Sequence, residues 1–216
     1  MKKKTLEGKL VISLEQAVAA PYCTSKLADA GARVIKVERR EGDFARYYDN
    51  FVNGESTYFV WLNRGKESLI ANIKDENDIV LLKSIISKAD IFVQNLAPDT
   101  LSKVGLDSDT LRKKNKKLIT CDISGYGEKG PYSDMKAYDL LVQAETGLCS
   151  LTGSEDNPGR VGISVCDIAC GLNAYSLLLE AIIKREYTGK GSSIKVSLFD
   201  SLSEWMNVPF LQYTYT

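Results

Sequence analysis

No histidine occurs among the 216 residues. That removes the commonest general base, every Ser-His triad and most zinc ligand sets, so any chemistry rests on carboxylates, lysine, tyrosine, cysteine or a bound cofactor. Net charge is also lacking, because 28 Lys and Arg balance 28 Asp and Glu. With no global field, neither nucleic acid nor an anionic membrane is an expected partner, and a polyanion has to be met locally. The basic run Arg112-Lys-Lys-Asn-Lys-Lys117 falls at an expected helix C-terminus, where it complements the dipole. The five cysteines (Cys23, Cys121, Cys149, Cys166 and Cys170) are odd in number and lie in apolar surroundings; only Cys166 and Cys170 are close, and their spacing is not the redox motif. They read as reduced core thiols, which suits a cytoplasmic protein. No hydrophobic run approaches the roughly 18 residues of a membrane span. Near the N-terminus, Glu7, Lys9 and Glu15 interrupt the apolar stretch, leaving it short of the about seven residues that a secretory signal needs.

What is present is ordinary for one globular core: 44% apolar and 26% charged residues. Strands are expected at Leu10–Leu14, Arg33–Glu38, Ser68–Ile73, Asp90–Gln94, Lys117–Ile123 and Ser193–Leu198. Between them fall helical patterns. One begins at Pro21 and ends before Gly31; one opens on Asp75-Glu-Asn-Asp78 and carries Ile79, Leu82, Ile86 and Ala89 on one face; short pieces lie near 100–104 and 109–114, and another helix spans Asp139–Leu148. Arg39–Tyr58 reads as a long functional loop. Strands separated by helices define an α/β fold with a mostly parallel, doubly wound sheet and helices on both faces. Such a sheet binds ligands beyond the carboxyl ends of its strands, where Glu15-Gln16, Arg39-Arg40, Lys74, Asn95, Gly125 and Asp167 all fall. Glu38 resembles the ribose-binding acid of dinucleotide enzymes. The chain after Leu14 nonetheless reads Glu-Gln-Ala-Val-Ala-Ala-Pro, without the glycine fingerprint for a pyrophosphate.

The stretch Val161-Gly-Ile-Ser-Val-Cys-Asp-Ile-Ala-Cys-Gly171 reads as a short apolar strand giving way to a long helix. Asp167 would stand at that helix's N-terminus, either as a simple N-cap or as a positioned nucleophile, and the dipole would keep it an anion at neutral pH.

Several further blocks closely resemble, in order, those of the class III CoA-transferases, the family of formyl-CoA and carnitine CoA-transferases that also includes the α-methylacyl-CoA racemases. They are Ala28-Asp-Ala-Gly-Ala-Arg-Val-Ile-Lys-Val-Glu38, Asn63-Arg-Gly-Lys-Glu-Ser68, Asp90-Ile-Phe-Val-Gln-Asn95, Ile123-Ser-Gly-Tyr-Gly-Glu-Lys-Gly-Pro131 and Tyr187-Thr-Gly-Lys-Gly191. The resemblance implies a Rossmann-like domain that moves coenzyme A from an acyl-CoA to a small carboxylic acid, with Asp167 as the nucleophile. A CoA thioester is then the co-substrate, with no resident cofactor and no metal. The family pattern points to Val18, Ala19, Arg39, Lys74, Asn95, Lys103 and Lys136 as CoA-binding, with Tyr138 and Asp139 lining the same pocket. In the racemases a histidine matches Tyr138, so its absence favours transfer over racemisation. The blocks around Leu14–Pro21, Gly42–Arg46 and Ser56–Asn63 look most like members that use succinyl-CoA and short dicarboxylates, with Arg46 or Arg64 as candidate partners for a distal carboxylate.

The match also departs from the family. Asn95 is followed by Leu-Ala-Pro-Asp99 where an aromatic residue and Pro-Gly are usual. Family members are about twice as long and form interlocked homodimers. Residues 1–199 therefore correspond to the N-terminal part of a CoA-binding large domain and 200–216 to the start of a linker toward a small domain. The alternative to a working transferase is a catalytically incomplete CoA-binding fragment or subunit that needs a partner chain.

Overall fold

The computed structural model describes residues 3–216. Among them, β1 (Leu10–Leu14), β2 (Arg33–Glu38), β3 (Lys66–Ile70), β4 (Ile91–Gln94), β5 (Ile119–Ser124) and β6 (Ser193–Ser197) form a six-stranded sheet in the order β3-β2-β1-β4-β5-β6. Every neighbouring pair is parallel, so the expected α/β doubly wound fold is what the chain adopts. The helices are α1 (Ala19–Asp29), α2 (Thr57–Asn63), α3 (Glu76–Ser87), α4 (Ser108–Lys114), α5 (Asp139–Glu145), α6 (Leu148–Thr152), α7 (Val165–Thr188), α8 (Leu198–Trp205) and α9 (Asn207–Tyr215), with single 3-10 turns at Phe44–Tyr47 and Ser102–Val104.

Side-chain alternation along the strands divides the core in two. Val11, Val34, Ile91, Val93, Ile119, Cys121 and Ile123 face α1 and α7, whose Cys23, Leu27, Cys170, Ala174 and Leu178 complete that layer. Ile12, Leu14, Val37 and Phe92 face the other way, onto Leu82 and Ile86 of α3 and Leu111 of α4. Both faces are covered, as a parallel sheet requires. α1 and α7 approach closely because Gly171 has no side chain: a Cβ there would lie 2.7 Å from the Ala19 carbonyl oxygen. α7 is 24 residues long and apolar enough by composition to cross a membrane, a property that escaped the sequence reading. Its Cys170, Ala174 and Leu178 are buried against the sheet and α1, which marks it as a core helix.

Several boundaries move. α1 begins at Ala19, so Pro21 is its third residue and its missing N–H costs nothing. β3 lies at Lys66–Ile70 instead of Ser68–Ile73, because it pairs with β2 in the register Val34↔Lys66 to Glu38↔Ile70. The helix expected over Asp139–Leu148 breaks at Gly147, which takes φ 81°. Arg39–Tyr58 contains the 3-10 turn and runs into α2. No strand precedes Asp167: residues 161–164 pair with no strand of the sheet, and α7 starts directly at Val165.

Candidate active site

The strand order reverses between β1 and β4, and the residues just after them, Gln16 and Asn95, clamp each other across that switch point. Asn95 Oδ1 accepts from the Gln16 N–H at 2.9 Å, and Asn95 Nδ2 donates to the Gln16 carbonyl at 2.9 Å. The Asn95 side chain is thus committed to the protein's own backbone. On one side of this clamp opens a cleft of about 1250 Å³ that includes Ala19, Gly125, Lys136, Tyr138 and Asp167. On the other lies a cleft of about 840 Å³ that includes Arg39, Arg40 and Lys74. Gln16, Leu96 and Ala97 line both, so the two form one long groove over the carboxyl edge of the sheet.

Asp167 is the third residue of α7 and half-buried, not its N-cap. The capping is done by Asp139, whose Oδ2 accepts from the N–H groups of Cys166 at 2.7 Å and Asp167 at 3.3 Å. Asp139 itself opens α5, and Gln143, one turn on, donates to its other oxygen at 2.5 Å. This leaves the Asp167 carboxyl free to face the groove. The expectation of a simple anion fails: burial first, and then the negative charge of Asp139, push the Asp167 carboxyl up to about 7, against a hydrogen bond from the Ala19 N–H that pulls it down. Ala19 is the first residue of α1, so the N-terminus of a second helix is aimed at Asp167. Tyr48 lies close enough for its phenol to be pushed up to about 12 by burial and by the carboxylates of Asp43 and Asp167. It stays protonated at neutral pH.

The ten residues singled out from sequence separate into groups. Asp167, Ala19, Lys136 and Tyr138 share the first cleft, with Lys136 and Tyr138 exposed at its rim. Arg39 and Lys74 are exposed in the second, and Arg39 Nε reaches only the Gly42 carbonyl, at 3.2 Å. Asn95 lines the first cleft but spends its polar atoms on Gln16. Val18 is buried and precedes α1, its carbonyl accepting from Tyr22 at 2.7 Å. Asp139 lies beneath α7 and is not on the cleft wall. Lys103 is exposed in the 3-10 turn Ser102–Val104, whose Ser102 lines the first cleft, but Lys103 itself is on the wall of neither.

Two further expectations are corrected. Arg46 forms a fork with Glu38, at 2.9 and 3.0 Å, and Arg64 pairs with Asp29, so both guanidiniums are engaged within the chain. Glu15, grouped by sequence with the ligand-facing residues, is buried and bound to Lys66 Nζ at 2.7 Å and Thr24 Oγ1 at 2.6 Å. Sequence reasoning missed the buried charges Lys36, Asp43 and Lys66. The available signal was that Lys36 and Glu38 share a strand face with apolar Val34, where a solvated charge does not belong.

The fold and groove define a doubly wound α/β protein with an aspartate of near-neutral proton affinity at its switch-point edge. Residues 6–216 match the model of CoA-transferase family III, and the chain belongs to that family. It is 41% identical over 201 residues to succinyl-CoA:glutarate CoA-transferase of Mus musculus, covering 92% of this chain and 46% of that protein. It is 39% identical over 214 residues to acetyl-CoA:oxalate CoA-transferase of Acetobacter aceti, covering 98% of this chain and 54% of that one. A crystal structure of a CAIB/BAIF family protein from Brucella suis superposes over 100% of this chain and 58% of its own, with TM-score 0.94 and 34% identity. The chain spans about half the length of the curated relatives it matches.

Proposed function

We propose that the chain carries the nucleophile and much of the CoA site of an acyl-CoA:carboxylate CoA-transferase, with Asp167 as the reacting group. The observation that carries this reading is the Asp167 carboxyl in the groove, on a helix end that Asp139 caps from behind through backbone N–H groups, with the Ala19 N–H beside it and its proton affinity held near neutrality.

The Asp167 carboxylate attacks the thioester carbonyl; the C–S bond breaks, giving a mixed anhydride and CoA thiolate. The thiolate attacks the aspartyl carbonyl of the anhydride, forming an aspartyl-CoA thioester and releasing the first carboxylate. The acceptor carboxylate then attacks this thioester, and the released thiolate takes the new acyl group from the second anhydride, regenerating Asp167. Each step exchanges one activated acyl group for another, and both nucleophiles react as their anions without a general base, so the lack of histidine is no obstacle. With a value near 7, about half of the Asp167 carboxyls are ionised at neutral pH. The Ala19 N–H and the N-terminal end of α1 are placed to stabilise negative charge at the reacting centre.

The length of the groove suits an extended cofactor-like substrate. The Arg39, Arg40 and Lys74 end would take phosphates, and the Lys136, Tyr138 and Asp167 end the thioester. Succinyl-CoA is the first donor to try, since it is named in the mouse relative. The fork from Arg46 to Glu38 and the Arg64–Asp29 pair leave neither arginine free for a distal carboxylate, so other groups would have to select the acid.

A second reading, that transfer needs residues outside this chain, is supported by the half-length coverage of the relatives and by α9, where Val208, Phe210, Leu211 and Tyr213 are all exposed. On that reading residues 1–199 are the large domain and 200–216 lead toward a small one, with a homodimer or a partner chain completing the site. Incubation with succinyl-CoA and hydroxylamine, followed by peptide mass spectrometry, tests both. A hydroxamate on Asp167 that vanishes in Asp167→Asn supports the nucleophile. No modification by the 216-residue chain, with modification by a longer product of the same gene, supports the second reading.

A further inference from the structure

Ala17 takes φ 63°, a left-handed conformation that costs a residue with a Cβ about 1 kcal/mol or more. Something must hold it there. Its N–H donates to Asp43 Oδ1 at 3.1 Å, and the same oxygen accepts from the Ala45 N–H at 2.9 Å. The other oxygen of Asp43 takes Lys36 Nζ at 2.6 Å, and the Asp43 N–H donates to Glu38 Oε2 at 3.0 Å. Lys36 reaches on to Asn63 Oδ1 at 2.9 Å, which also accepts from Lys66 Nζ at 3.3 Å; Lys66 in turn pairs with Glu15. Glu15 and Asp43 against Lys36 and Lys66 give two charges of each sign, a neutral quartet almost wholly shielded from water. Buried ion pairs are weak contributors to stability compared with apolar packing of the same volume. What this quartet does fix is geometry, because Ala17 lies two residues before Ala19, the first residue of α1, which lines the first cleft together with Asp167.

We propose that Asp43 is a positioning residue: held by Lys36, it locks the Ala17 turn and thereby keeps the first N–H of α1 on the Asp167 carboxylate. This rests on the reading of Asp167 as the nucleophile. Asp43 itself does not touch substrate; it acts by fixing where Ala19 points. Asn at position 43 retains one carbonyl oxygen for Ala17 and Ala45, but it turns an N–H₂ group toward the Lys36 ammonium where an acceptor is required.

The test uses the protein expressed from its full reading frame, with succinyl-CoA and hydroxylamine trapping. In Asp43→Asn the rate of hydroxamate formation at saturating donor falls at least about tenfold, while KM for the donor stays within about twofold. The pH midpoint of that step rises above the parent's, since the Ala19 N–H that lowers it moves away from the carboxyl. Ala17→Gly added to Asp43→Asn recovers part of the rate, because glycine takes the left-handed conformation without help. A parent-like rate and pH midpoint in Asp43→Asn, or a change confined to KM, overturns the proposal. If Asp43→Asn does not fold, amide exchange in the parent decides. Ala17 exchanging as slowly as β1 supports the lock, and exchange at the rate of an open loop overturns it. Asp167→Asn is run in parallel: a hydroxamate that persists there removes the nucleophile reading and this one together. A parent-like Asp43→Asn beside an inert Asp167→Asn removes the positioning alone.

Discussion

Asp139→Asn separates two things that one carboxylate does. Asp139 accepts from the N–H groups of Cys166 and Asp167, and its charge also opposes ionisation of Asp167. Asparagine keeps an acceptor for the helix end but removes the charge. Loss of the charged cap should destabilise the fold by about 1 kcal/mol, a fall of roughly 2–4 °C in Tm for a domain of this size. On the site, the carboxyl loses one of the two influences that raise it. Two carboxylates sharing a site commonly shift each other by on the order of one pH unit or more, so the midpoint for Asp167 should move from about 7 to about 6. At pH 6 the ionised fraction then rises about fivefold, whereas at pH 8 it hardly changes.

The assay is single-turnover hydroxamate formation on Asp167 from pH 5 to 9. The parent rate should climb about tenfold per pH unit below 7 and level above it. Asp139→Asn should be faster than the parent at pH 6 and no faster at pH 8. Stability runs in the opposite sense. Asp167 has a folded value above its ordinary 3.8, so the folded state holds a proton that the unfolded state releases, and stability falls as pH rises from about 4 to about 7. The variant should show a shallower fall over that window. A midpoint that stays at 7 or moves up in Asp139→Asn would refute the assignment of Asp139 as the opposing charge.

Two further variants probe the frame around the site. Gly171→Ala puts a Cβ 2.7 Å from the Ala19 carbonyl oxygen and 3.0 Å from Tyr22 Cδ1, so α1 and α7 must separate; a loss of about 1–3 kcal/mol in denaturant unfolding is expected, and a parent-like midpoint would mean that the contact is soft. Arg39→Ala and Lys74→Ala should each raise KM for acyl-CoA about threefold to tenfold in low salt with kcat unchanged, and the difference should shrink as added salt screens these exposed cations; equal KM values in the parent and both variants would remove the phosphates from that end of the groove.

The strands and their order of appearance were legible because period-two alternation and helix signals are local. Leu10–Leu14 and Arg33–Glu38 have the expected limits in the structure. β3 was placed two residues late because Lys66 reads as solvated; it is a usable strand residue only since Glu15, far away in the chain, meets its ammonium inside. The segment before Asp167 reads locally like a strand, yet it pairs with none, and pairing is decided by the global fold and not by local pattern. Asp139 and Asp167 are separated by 28 positions, so the opposing charge that adds to burial in raising the proton affinity of the candidate nucleophile left no trace in local pattern. Arg46 and Arg64 looked available for a substrate because their partners, Glu38 and Asp29, are brought up only by folding.

The same distinction separates the candidate nucleophile from the structural carboxylates. Burial works against ionisation of Glu38, but Arg46, the Asp43 N–H and Ser68 hold it down to about 2. Burial works against Glu15 too, and Lys66 and Lys36 outweigh it. Both are permanent anions that fix geometry, and neither has lone pairs to spare for a substrate. Asp122, in the same cleft as Asp167, is raised by burial, but the Gln94 amide holds it at 2.9 Å and Lys195 draws it back. Asp167 combines exposure to the groove with the neighbouring charge of Asp139, and among the described residues no Lys or Arg lies within salt-bridge distance of it. A carboxylate paired with a cation is stabilised as a ground state and is a poor nucleophile; one held near neutrality by burial and a like charge gains by forming a bond to carbon, which disperses its charge. Lys36, Lys66 and Arg46 serve the other carboxylates, Lys136 stays exposed at the rim of the first cleft, and Asp167 is left as the groove carboxylate on which the proposed chemistry rests.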